Sequence, residues 1–238
     1  MLGGDDTGSR ILSWPSVRNW SEIRDMCRIC PHRVDFWPTL ERGGAGAAAR
    51  DGYAGGVTDD RAQLIELIRD EAVFHGDFTL TSGKKASYYI DLRKLSLDHR
   101  AAPLIGRILL KLIDEFGPVD AVGGLTMGAD PLANAVLHQG VAEGRTMDAF
   151  VVRKEPKDHG RGRQIEGAEV EGKRVVVLED TSTTGGSPLK AIEALEKAGA
   201  NVVAVCTIVD RATEAGPRIE AAGYPYRYAI GLEDLGLA

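Results

Sequence analysis

The chain has 238 residues, room for one large domain or two small ones, and a hydrophobic content of 43%, ordinary for a globular protein. Its net charge of -6 argues against a general nucleic-acid binder. No apolar run reaches the roughly 20 residues a bilayer span needs, the N-terminus lacks the apolar core of a secretory signal, and three cysteines are too few for a disulfide scaffold, so a reducing cytoplasm is the expected compartment.

Composition shifts near residue 57. Residues 1–56 hold Trp14, Trp20, Trp37, two of the cysteines and the Gly/Ala run from Gly43 to Ala49, with no persistent period. Such a segment buries too little apolar surface to offset its ordering entropy. It is expected to be a disordered tail, or an over-extended gene reading if Val57 is encoded by the initiation codon GTG. Cys27, Cys30 and His32 are spaced like zinc ligands, but a structural site needs four ligands and no second cysteine pair exists, so no zinc is expected.

From Val57 the pattern becomes regular. Asp60 and Gln63 have the spacing of a capping box, and Leu64, Ile65, Leu67, Ile68 and Ala72 continue as a helical stripe. Phe78–Leu80 and Tyr88–Ile90 read as strands around a turn at Ser82-Gly83-Lys84. Asp98 opens a second helix that Gly117-Pro118 closes. Strands at Ala121–Gly124, Ala149–Val152, Val175–Leu178, Val202–Val209 and Tyr226–Ile230 then alternate with helices from Asp130, over Pro188–Ala198 and over about 212–222. Continuously apolar strands alternating with helices predict an α/β fold, a parallel sheet flanked by helices, with ligands at the carboxyl ends of its strands.

The most informative stretch runs from Val175 to Ser187. A buried strand delivers Glu179 and Asp180, then Thr181-Ser182-Thr183-Thr184-Gly185-Gly186-Ser187 leads into a helix. Backbone N–H groups and hydroxyls at a helix start suit a phosphate monoester, and glycines let the backbone approach it. Carboxylates would repel phosphate, so sugar hydroxyls or a hydrated cation suit them better. These residues resemble the signature of the type I phosphoribosyltransferases. The resemblance implies that Glu179 and Asp180 hold the ribose hydroxyls of phosphoribosyl pyrophosphate, and that Thr183–Ser187, flanked by Thr181 and Ser182, hold its 5-phosphate.

A second stretch, Arg153 to Arg163, crowds five Lys/Arg residues and His159 into an otherwise acidic chain. Such donors would stabilise departing pyrophosphate, and a closing loop would exclude water. Its R-K-x-x-K-x-H-G pattern is similar to the catalytic loop of orotate phosphoribosyltransferases. That similarity implies pyrophosphate contacts from Arg153, Lys154, Lys157 and His159, with Lys157 and His159 catalytic, and a homodimer in which Lys154 acts on the partner's site. Residues 78–91 are similar to that family's small N-terminal hood, expected over about 57–95, with Tyr89 lining the orotate pocket. Thr81 and Thr126-Met127 depart from the family's Lys and Tyr-Lys and are not counted as ligands. Arg211, ending a buried strand, falls on the position that binds the orotate carboxylate, with Thr183 contributing.

The implied reaction forms orotidine 5′-monophosphate, with Mg²⁺ carried mainly by the substrate pyrophosphate and ribose hydroxyls. A purine phosphoribosyltransferase would not need Arg211, and a non-catalytic sensor of phosphoribosyl pyrophosphate would not need Lys154 and Lys157. Everything this chemistry uses lies beyond residue 56. A chain started at Val57, with Met in its place, is therefore expected to keep its thermal midpoint and orotate turnover. A clear fall in either would show that the preceding segment packs on the domain.

Overall fold

The computed structural model describes residues 57–79, 85–155 and 164–238. The expectations for residues 1–56, for the hood turn at 82–84 and for Lys157 and His159 lie outside these. Helix α1 spans Val57–Leu67 and widens into one π turn over Ile68–Ala72. Asp60 is inside this helix and does not cap it. Its carboxylate accepts two hydrogen bonds from Arg107, at 2.9 and 2.8 Å, across the packed helices. A buried guanidinium outcompetes the backbone for that carboxylate, which the local capping pattern could not reveal.

The hood follows. Strands β1 (Val73–Thr79) and β2 (Lys85–Ile90) pair antiparallel, with His75 opposite Tyr88 and Val73 opposite Ile90. Ile90 is buried in the core, and the Asp91 N–H donates to the Ala72 carbonyl at 2.9 Å, so the hairpin is fixed at its base. A short helix α2 (Arg93–Ser96) leads to α3 (Ala101–Asp114), whose approach Asp98 braces by accepting the Arg100 N–H at 2.8 Å.

The body alternates β3 (Ala121–Leu125), α4 (Ala129–Ala142), β4 (Asp148–Val152), β5 (Ile165–Gly167), β6 (Arg174–Ser182), α5 (Gly186–Lys197), β7 (Asn201–Asp210), α6 (Ala215–Ala221), β8 (Tyr226–Gly231) and α7 (Leu232–Leu235). The sheet order is β5-β4-β3-β6-β7-β8; all neighbours are parallel except β5 against β4. Both faces are covered, as continuous apolar strands require. Val176 and Leu178 of β6 join Leu104, Ile105 and Leu132 on one face, while Val175 and Val177 join Ile192, Leu195 and Ile219 on the other. Two departures from the sequence pattern matter below. β6 runs four residues past its apolar stretch, through Ser182, because β7 keeps pairing with it to Asp210. The polar segment after β4 returns as edge strand β5, a run of three residues too short to show a period. Among the described residues no helix is long and apolar enough to cross a membrane.

The Asp60–Arg107 pair ties α1 to α3, with the two side chains only 10% and 20% exposed. Asp60→Asn leaves a guanidinium short of its charge partner in a largely dry contact, a loss of about 2–4 kcal/mol. A marked drop in the urea midpoint is expected; an unchanged midpoint would mean that Arg107 re-pairs without cost.

Candidate active site

The carboxyl ends of β3, β4, β6 and β7 meet at one edge of the sheet. β6 brings two acids there in succession. Glu179 is buried, and its Oε2 has no hydrogen-bond partner. Burial, then the charge of Asp180, then a hydrogen bond shared with that carboxylate, hold the Glu179 acid well above the ordinary glutamate range. Asp180 is half-buried and accepts the Thr181 N–H at 2.6 Å. It lies against the turn after β3, where a Cβ on Gly128 would stand 3.0 Å from Asp180 Oδ1. Thr126 in the same turn donates to Asp130 at 2.7 Å, and its N–H donates to the Val152 carbonyl at 2.9 Å, locking the ends of β3 and β4 together.

Beyond β6 the chain turns through Thr183 and Thr184 into α5. Gly185 takes a left-handed φ of 71° at the helix N-cap, and no side chain caps this helix. The threonines and Ser187 therefore do not serve as caps, and the first-turn N–H groups of a helix have no intrahelical partners. The cradle is held from behind: the Thr183 carbonyl accepts from the Glu214 N–H at 3.2 Å and from the Thr213 hydroxyl, and the Thr184 carbonyl accepts from Arg218 at 3.1 Å. Ser182, the last residue of β6, is 2% exposed, and its carbonyl accepts the Arg211 N–H at 3.2 Å.

Arg211 leaves the end of β7. Its neighbour Asp210 does not pair with it; the Asp210 carboxylate accepts the Ala212 N–H at 3.2 Å, and burial raises its pKa. Among the described residues Arg211 forms no ion pair, and its Nε is buried without a partner. A strand-end salt bridge thus does not account for it. From the hood, the Tyr88 ring lies 5.2 Å from the Arg211 guanidinium carbon. Tyr89 points from the other face of β2, 5.8 Å from the Phe78 ring, and accepts from Arg93 at 3.4 Å. Arg93 also donates to the Asp91 carboxylate at 3.0 Å. Neither Tyr88 nor Arg93 stood out in the sequence, although strand alternation with buried Ile90 points Tyr88 toward the body.

At the end of β4, the Arg153 N–H donates to the Gln164 carbonyl at 2.8 Å, and Gln164 Nε2 returns a bond to the Arg153 carbonyl at 3.0 Å. Both ends of the basic segment are thereby fixed to the sheet edge. Arg153 is half-buried, 3.8 Å from Glu166, and Lys154 is exposed.

Residues 96–222 match the model of the phosphoribosyl transferase domain. The chain therefore belongs to the phosphoribosyltransferase family, as its acid pair and helix-start cradle at one sheet edge lead one to expect. Within it, the chain is 59% identical over 182 residues to the orotate phosphoribosyltransferase of Streptomyces coelicolor, covering 76% of this chain and all of that one. It is 56% identical over 177 residues to that of Corynebacterium glutamicum, covering 74% and 94% of the two chains. The crystal structure of the Mycobacterium tuberculosis enzyme in complex with 5-phospho-alpha-D-ribosyl 1-diphosphate superposes with a TM-score of 0.65 at 51% identity, over 75% of this chain and 99% of that one. These similarities make it a member of the orotate phosphoribosyltransferases.

The state of Glu179 has a thermodynamic consequence. The folded protein holds the Glu179 proton more tightly than the unfolded chain does. Stability is then lost as pH rises from the ordinary glutamate value of 4.5 through the raised folded value. Glu179→Gln removes this dependence. In the absence of substrate its thermal midpoint is expected to exceed that of the wild type at alkaline pH, with the gap closing as pH falls toward 4.5. A gap that widened on acidification would refute the assignment of a buried, protonated Glu179.

Proposed function

We infer that this chain transfers ribose 5-phosphate from phosphoribosyl pyrophosphate to orotate, giving orotidine 5′-monophosphate and pyrophosphate, a step of pyrimidine nucleotide synthesis. The observation that carries this inference is the meeting at one sheet edge of an uncapped helix start, an acid pair with a partnerless buried oxygen, and an Arg211 without an ion pair among the described residues.

In this mechanism the first turn of α5, with Thr183, Thr184, Gly185, Gly186 and Ser187, holds the 5-phosphate. Glu179 and Asp180 accept the ribose hydroxyls, with Thr181 and Ser182 beside them. Their oxygens also fit a hydrated cation: Glu179 has a free buried acceptor, and no group of three His, Cys, Asp or Glu side chains among the described residues could hold a metal ion unaided. Mg²⁺ brought by the substrate would rest against these two carboxylates and neutralise the leaving pyrophosphate. Arg211 binds the base carboxylate, Thr183 assists, and Tyr89 lines the base pocket from the hood. Orotate N1 then bonds to the anomeric carbon as the bond from that carbon to the pyrophosphate oxygen breaks, and the N1 proton passes to the departing pyrophosphate or to water. Arg153, Lys154, Lys157 and His159 take up the charge that develops on pyrophosphate, the last two as the catalytic donors. Orotate is already an anion, so positioning and charge stabilisation can carry catalysis without a strong protein base.

The same proposal makes the enzyme a cytoplasmic homodimer, with Lys154 serving the partner's site. Steady-state assay with phosphoribosyl pyrophosphate tests the activity: turnover is expected with orotate and not with purine bases, and a preference for a purine would overturn it. For the shared site, Lys154→Ala and Asp180→Ala proteins are each expected to be weak. After subunit exchange, each heterodimer regains one site with both residues intact, so activity partly returns. Proteins that exchange yet stay as inactive as their parents would show Lys154 acting within its own subunit.

A further inference from the structure

Arg211 presents a problem of positioning. An arginine side chain has several free torsions, and a carboxylate needs two of its N–H groups at once in one plane. Several guanidinium groups in the described structure are fixed by acids, as Arg107 is by Asp60 and Arg145 by Asp114. Arg211 has no such acid among the described residues, and the neighbouring Asp210 accepts the Ala212 N–H instead. What faces the guanidinium instead is the Tyr88 ring, at 5.2 Å.

An aromatic face is suited to this task. It attracts the cation through the ring quadrupole and shields one side from water, yet it occupies no N–H donor. An acid in the same place would orient the guanidinium equally well but would consume the donors and cancel the charge. Tyr88 is itself held firmly. It is half-buried against the core and paired with His75 across the hairpin, and its strand is anchored by buried Ile90 and by the Asp91 to Ala72 backbone bond.

We propose that Tyr88 is a positioning residue for the base carboxylate: its ring aligns Arg211 from the hood, so that preference for a carboxylated base depends jointly on hood and body. This inference rests on the assignment of Arg211 to the orotate carboxylate. The ligand chemistry is a planar heterocyclic carboxylate; Tyr88 makes no bond to it and acts only through Arg211.

The test compares Tyr88→Phe, Tyr88→Leu, Tyr88→Met and Arg211→Ala in the full chain, measuring kcat and KM for each substrate. Leu and Met keep apolar bulk but have no π face. Both are expected to raise the KM for orotate roughly 5- to 30-fold, the range a desolvated cation–π contact implies. The kcat and the KM for phosphoribosyl pyrophosphate should change little, and Tyr88→Phe should restore the orotate KM because it keeps the ring. Arg211→Ala should raise the orotate KM by more than either variant. If Leu and Met match Phe while Arg211→Ala is selectively impaired, Tyr88 does not orient Arg211 and the carboxylate assignment stands. If Leu and Met weaken both substrates alike, Tyr88 is a structural residue of the hood and the proposal is wrong. If Arg211→Ala leaves the orotate KM unchanged, the carboxylate assignment itself fails.

Discussion

The site is organised around the cost of putting two adjacent carboxylates at the end of a strand covered on both faces. Glu179 is closed to water by the sheet, and Asp180 adds a like charge next to it. A carboxylate so placed either keeps a proton or waits for a partner from outside. The surroundings preserve that condition. The Thr181 N–H meets Asp180, and Gly128 gives Asp180 room by having no side chain. Glu179 Oε2 has no partner among the described residues. An acceptor that the protein leaves unsatisfied is one that a sugar hydroxyl can satisfy, so the folding cost is offset on binding.

The same logic, with the opposite sign, applies to the groups around the pair. α5 begins without a side-chain cap, leaving its first-turn N–H groups open, while the Thr183 and Thr184 carbonyls are taken from behind by Thr213, Glu214 and Arg218. Acceptors that would repel an anion are thus occupied, and donors that would attract one are open. At Arg211 the neighbouring acid is diverted and an aromatic ring takes its place, which keeps the donors available. Stability and function meet here, because each of these choices forgoes a hydrogen bond that a purely structural loop would have made.

Much of this was legible in the sequence because it is local. The apolar run Val175–Leu178, the acids after it and the Thr/Gly turn into a helix are consecutive, and their order alone fixes a buried strand ending in a polar helix start. Position Arg211 was legible as the polar end of another such strand. What escaped depends on contacts across the fold. Asp60 has the spacing of a cap, yet Arg107, 47 residues away, takes its carboxylate. That β6 continues through Ser182 follows from its pairing with β7, not from any apolar pattern of its own. Strand β5 is held by its register with β4 and not by any pattern of its own. Tyr88 and Tyr89 are adjacent and chemically alike, and only the pleat, fixed by buried Ile90, decides which of them meets Arg211.

The distribution of charge follows from the same constraint. A net charge of -6 would disfavour the approach of a polyanionic substrate if it were spread evenly over the surface. Five of the 29 Lys and Arg residues nevertheless fall together between Arg153 and Arg163, on a segment whose two ends are clasped at Arg153 and Gln164. Within a Debye length of roughly 8 Å at physiological salt, such a local cluster outweighs distant acids. Among the described residues no lysine or arginine pairs with Glu179 or Asp180. A lysine fixed against the acid pair would form a buried ion pair, lower the Glu179 pKa and fill both the sugar and the pyrophosphate subsites with protein. Under the proposed function the unpaired acids stay available for sugar hydroxyls and the basic segment for phosphates.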